Sequence, residues 1–117
     1  MSSSRKIALA ALLAGALLAS PSFAQQTPEA SLAQDLSSCA GAVAAVGNLD
    51  VVSYPRGANG EWAPLLGIIL DALNREEGVE GMTGRYAGSA ARDFWREQSA
   101  AEGEAAATQC RARFGRG

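Results

Sequence analysis

The sequence has no histidine in 117 residues. That removes the Ser-His-Asp and Cys-His nucleophile pairs, the His-bearing zinc and haem sites, and the imidazole proton shuttle that works near neutral pH. Cysteine is nearly as scarce: Cys39 and Cys110 are the only two, and they lack the C-x-x-C spacing of a redox or metal site. There is no glycine-rich phosphate loop, no G-x-S-x-G elbow and no calcium loop. Glu76, Glu77 and Glu80 gather at an expected helix end, where solvation accounts for them. A carboxylate pair held across a cleft would demand more core than this chain has to spare. The chain is therefore read as non-enzymatic, with no cofactor and no metal site.

Long hydrophobic runs are also missing, except near the start. There Arg5 and Lys6 precede an apolar run from Ile7 to Leu18, and Ser22-Phe23-Ala24 has the small-residue pattern of a peptidase site. Residues 1–24 are expected to be an export signal, cleaved to leave Gln25 first. The run is well short of the ~20 residues that span a bilayer, so no transmembrane span is expected after cleavage. What remains is 93 residues (117 minus 24) carrying eight arginines, no lysine and twelve carboxylates, 8 minus 12 or −4. Without a surplus of cations to displace phosphate counterions, nucleic acid is not an expected partner.

Large side chains are few as well. Of 41 hydrophobic residues after the signal, 18 are alanine and 23 are larger, a thin core for a domain of this size. Export places the chain in an oxidising compartment, the periplasm or the outside of the cell, where Cys39 and Cys110 are expected to be joined. Closing so long a loop contributes about 4 kcal/mol in the chain-entropy description.

Residues 25–117 read as one small helical domain. Thr27 can cap a helix whose first turn holds Pro28 and Glu29, and Leu32, Leu36, Cys39, Val43 and Val46 fall on one stripe before Gly47-Asn48 stops it. Residues 48–61 read as an ordered connection rather than a strand, since no partner strand is visible. A helix from about Trp62 to Glu77, with Pro64 in its first turn and Gly78 past its end, is apolar nearly all round, which predicts the most buried, central position. From Met82 another helical stretch places Met82, Tyr86, Ala90 and Phe94 on one face, bordered by Trp95. Ser99-Ala100-Ala101-Glu102 has capping-box spacing, which leaves open one long helix to Arg113 or a break and a last helix to about Phe114. Small residues Gly103, Ala106 and Ala107 near Cys110 let a second helix come within disulfide range. The expected fold is an all-α antiparallel bundle of three or four helices, stapled by Cys39 and Cys110.

Three features compete as sites. Tyr54, Arg56 and Trp62 bracket a Pro/Gly-rich loop, a combination enriched at binding surfaces, and are the expected anchors for a partner; the plainer reading makes the aromatics plugs of the core. Arg85, Arg92 and Arg96 recur at steps of seven and four, but Asp93 and Glu97 among them point to a solvated, mixed-charge face. Gly84 and Gly88 form a small-x-x-x-small pair, read first as close packing within the domain and second as a self-association contact. The functional expectation is an interaction protein that binds another protein or envelope component, as an inhibitor, immunity factor or stress accessory would. The alternative is a carrier or sensor of a small apolar ligand held around Trp62, Ile69, Tyr86 and Phe94, which requires an internal cavity on the order of 300 Å³.

Overall fold

The structure is a computed structural model and describes residues 28–115. The expected signal at residues 1–24 and the Thr27 cap lie outside the described residues. Four helices follow in order: α1 Pro28–Gly47, α2 Ala63–Asn74, α3 Thr83–Arg96 and α4 Ala100–Phe114. Together they form an all-α bundle, and Cys39 of α1 is joined to Cys110 of α4 with their Cα atoms 5.6 Å apart. No strand occurs among the described residues.

The α1 stripe is placed as its spacing predicts: Leu36, Cys39 and Val43 are buried, and Leu32 and Val46 pack against the core from its margin. The helix ends at Gly47, where Asn48 takes a positive φ of 56° and the Leu49 N–H turns back to the Ala44 carbonyl at 2.8 Å. Leu49 and Val51 then bury their side chains, so the connection lies over the bundle and contributes to its core.

The central helix is α1 and not α2, contrary to the reading of α2 as the innermost. Ala40, Gly41, Ala42, Val43 and Ala44 are all buried, and five consecutive residues at 100° intervals cover every direction around a helix. Every helix touches the other three, but the three most extensive contacts all belong to α1. The reason is size. A Cβ added at Gly41 would come within 2.4 Å of the Ala91 backbone, so α3 reaches α1 nearly backbone to backbone, an approach that large side chains forbid. α2 is richer in Leu and Ile, yet it buries Leu65, Leu66, Ile69, Leu70 and Leu73 on one side and leaves Pro64, Asp71 and Asn74 in solvent. It also stops three residues short of Glu77. Asn74 and Arg75 after Leu73 are exposed, and the Arg75 and Glu76 N–H groups tighten onto the Ala72 and Leu73 carbonyls at 3.1 and 3.0 Å.

Between α3 and α4 the chain breaks, which settles the question that the capping-box spacing raised. Ser99 is extended, its hydroxyl accepts the Glu102 N–H at 3.1 Å, and its own N–H donates to the Glu102 carboxylate at 3.4 Å. Both orphan donors at the start of α4 are thereby satisfied. α4 brings only Gly103, Ala107 and Cys110 into the interior, so apolar burial holds it weakly and the disulfide ties it to α1.

Candidate binding clefts around Trp95

The 48–62 connection is bound tightly to the bundle. The Asp50 carboxylate accepts the Val52 and Ser53 N–H groups at 2.9 and 3.3 Å, a local turn that spares the backbone from needing a strand partner. Arg85 reaches across from α3 and donates through Nη1 to the Val51 carbonyl at 3.1 Å, the Val52 carbonyl at 3.3 Å and the Tyr54 carbonyl. One guanidinium thus gathers three carbonyls that no helix satisfies. Arg85→Met is expected to leave these acceptors without their donor, loosen the connection and cost about 1–3 kcal/mol. Hydrogen exchange should then show amide protection lost at residues 51–56 while α1 keeps its own, and unchanged protection there would remove the clamp from the account.

The expected anchors sit apart in their roles. Tyr54 is half-buried: its hydroxyl donates to the Ala63 carbonyl at 2.9 Å and its ring lies against Gly67, where a Cβ would meet the hydroxyl at 2.6 Å. Trp62 is half-buried too, packed against the core with the Arg111 guanidinium 3.9 Å above its ring. Arg111 also lies 3.7 Å from Glu61. Arg56 stands exposed at the loop tip. The three arginines of α3 likewise form no single exposed stripe, since Arg85 is committed to the connection, Arg92 is half-buried with its Nε covered, and of the three Arg96 alone is exposed. Gly84 and Gly88 are both buried within the chain, Gly84 beside Leu73 and Val79 and Gly88 beside Ala40 and Val51.

The four residues of the carrier reading do not surround a common space. Ile69 is fully buried, Tyr86 and Phe94 are 60% and 54% exposed, and Trp62 is covered by Arg111. The cavities lie instead at the surface, and three of them meet at Trp95. One, of about 360 Å³, is bounded by Ala45, Val46, Gly103 and the polar groups of Arg96, Gln98 and Glu104. A second, of about 220 Å³, runs beside the disulfide between Asp35, Ser38, Ala106, Gln109 and Arg113. The third, of about 380 Å³, lies between Phe94 and the α4 residues Glu102, Ala105, Ala106 and Gln109.

Trp95 is half-buried where α1, α3 and α4 converge. Its indole N–H donates to the Ser38 hydroxyl at 3.4 Å and the Phe94 ring stands edge-on to it at 5.1 Å between centroids. The small residues of α4 create this space, because Ala105 and Ala106 cannot fill what lies beside an indole. The sequence signal for the site is therefore a tryptophan facing an alanine-rich helix, a feature that spacing alone marks only as the border of an apolar face. The lining combines apolar side chains with amide, hydroxyl and charged groups, the composition that suits binding. Among the described residues no group of three or more metal-ligating side chains assembles and no helix is long and apolar enough to cross a membrane. No protein-family model, no curated protein and no solved structure matches the chain.

Proposed function

We propose that the chain is an exported, non-enzymatic accessory protein of the periplasm or cell exterior that works by holding another envelope protein at its surface, in the manner of an inhibitor, immunity factor or stress partner. The observation that carries this reading is the meeting of three open clefts at Trp95 on a bundle whose α2 side is filled by large aliphatic side chains. A half-buried tryptophan held by a hydrogen bond loses little freedom on binding, and tryptophan leads the residues on which interfaces depend. The amide and hydroxyl groups of Gln98, Gln109 and Ser38 at the rims can take up the main-chain groups of a bound segment. The same open placement argues against the carrier of a small apolar ligand, which would need enclosure.

A photoreactive side chain at Gln109, in the full chain expressed in its native cell, tests the reading. The expected result is one discrete protein adduct in the envelope fraction, reduced to background by Trp95→Ala, with no adduct from the same probe at exposed Asp71 of α2. An adduct indifferent to Trp95→Ala would overturn it. So would an adduct formed from position 56 alone, which would move the partner to the connection and to Tyr54, Arg56 and Trp62.

A further inference from the structure

α3 turns the wrong side outward for an amphipathic helix. Its interior face is glycine and small residues, Gly84, Gly88 and Ala91, while Met82, Tyr86 and Phe94 are 40%, 60% and 54% exposed. Thr83, Ala87 and Ala90 lie on the same outer side and are exposed as well. Close approach of α3 to the Ala/Gly segment of α1 fixes this orientation, and the large side chains are left with nothing to cover them.

We infer that the outer face of α3 is a homodimer interface in which two copies of this helix pack antiparallel about a two-fold axis at Ala90. The spacing is what selects a second copy of the chain over another occupant. Tyr86 and Phe94 stand four residues to either side of Ala90, so a two-fold rotation brings Tyr86 of each chain onto Phe94 of the other, as an isologous contact requires. The small Ala87 and Ala90 lie at the crossing and let the helices close. The same register opposes Asp93 to Ala87 and Glu97 to Thr83, so that no carboxylate meets another. Phe94 is already held edge-on by Trp95, which lowers the cost of ordering it.

The area suffices for a modest interface. At the exposed fractions above, Met82, Tyr86 and Phe94 offer roughly 300 Å² on side chains of about 150–250 Å² each. Thr83, Ala87, Ala90, Asp93 and Glu97 extend the patch toward the ~600 Å² per partner at the lower end of specific interfaces. The contact leaves Gly84 and Gly88 out and shares only Phe94 with the residues that line the Trp95 clefts.

Sedimentation of the purified protein over a concentration series is the test, together with Ala90→Cys under mild oxidation. The expected result is a reversible monomer–dimer equilibrium, abolished over the same range by Tyr86→Asp with the melting temperature unchanged, because Tyr86 is exposed in the monomer. Ala90→Cys should yield a covalent dimer, and Asp71→Cys, on α2, should not. A monomer at every concentration would overturn the inference, as would a dimer that survives Tyr86→Asp or equal crosslinking from positions 90 and 71. A chain that stays monomeric yet gives the Gln109 adduct would sink this contact alone, and a dimer without that adduct would sink the proposed function alone.

Discussion

Replacing Cys39 and Cys110 together by alanine is expected to lower the unfolding free energy by about 4 kcal/mol, since the bridge closes a loop of 71 residues and chain-entropy stabilisation grows with loop length. At about 4–8 °C per kcal/mol for a domain of this size, the melting temperature should fall by roughly 15–30 °C. The effect should begin in one place. α4 buries only Gly103, Ala107 and Cys110, with Phe114 against the margin of the core, and its two ion pairs, Arg111 with Glu61 and Arg113 with Asp35, are half exposed or more on both sides, where such pairs contribute little. Without the sulfur bridge, hydrogen exchange should show residues 100–114 losing protection first, with α1 retaining its own. A melting temperature unmoved by reduction would mean that apolar packing alone holds α4.

The second large effect comes from adding one carbon atom. Gly41→Ala is expected to destabilise the protein by about 3 kcal/mol or more, at or beyond the usual range for overpacking. The new Cβ would stand 2.4 Å from the Ala91 carbonyl carbon and Cβ and 2.5 Å from the Arg92 nitrogen, and backbone atoms of a packed helix cannot rotate aside. α3 would have to move away from α1, opening the Val51 and Ala40 packing around Gly88. Gly103→Ala is the matched comparison. It is also a buried helical glycine, but its Cβ would meet only Val46 Cγ2, at an ordinary 3.8 Å. The helix then gains the better propensity of alanine, about 0.5–1 kcal/mol. Chemical denaturation of the two variants beside the parent checks both signs, and equal effects would dissolve the distinction between backbone contact and open packing.

Local signals carried most of the fold. The 4-3-4-3 stripe of α1, proline in the first turn of α2, the Ser99 capping box and the small residues before Cys110 each act within one or two turns, and each stands in the structure where its spacing put it. Inferring the central helix from hydrophobicity failed because hydrophobicity scales with side-chain size: α2 buries six of its twelve residues, but centrality went to the helix small enough for its neighbours to approach closely. Recurrence of Met82, Tyr86, Ala90 and Phe94 at steps of four did mark a common face, but periodicity has no sign. Which face turns inward was decided by Gly41 and Ala40 on another helix. For the candidate site the difficulty was of the same kind: Trp95 becomes a cleft residue only through what Ala105 and Ala106 on α4 fail to fill. Tyr54 and Trp62 were legible as aromatics beside a loop, while their hydrogen bond to Ala63 and cation stack under Arg111 depend on tertiary neighbours.

Cys39 lies midway along α1 and Cys110 in the later turns of α4, with Arg113 and Asp35 joined at 2.9 Å about one turn further on. A pull on the two ends of the domain would therefore run along the first half of α1, across the sulfur bridge and out through the end of α4. The residues between the cysteines hang outside that line of force. The connection, α2 and α3 would stay slack under a tension that frays the outer turns, whereas the cleft beside the disulfide, bounded by Asp35, Ser38 and Arg113, lies on the loaded path and would feel it first.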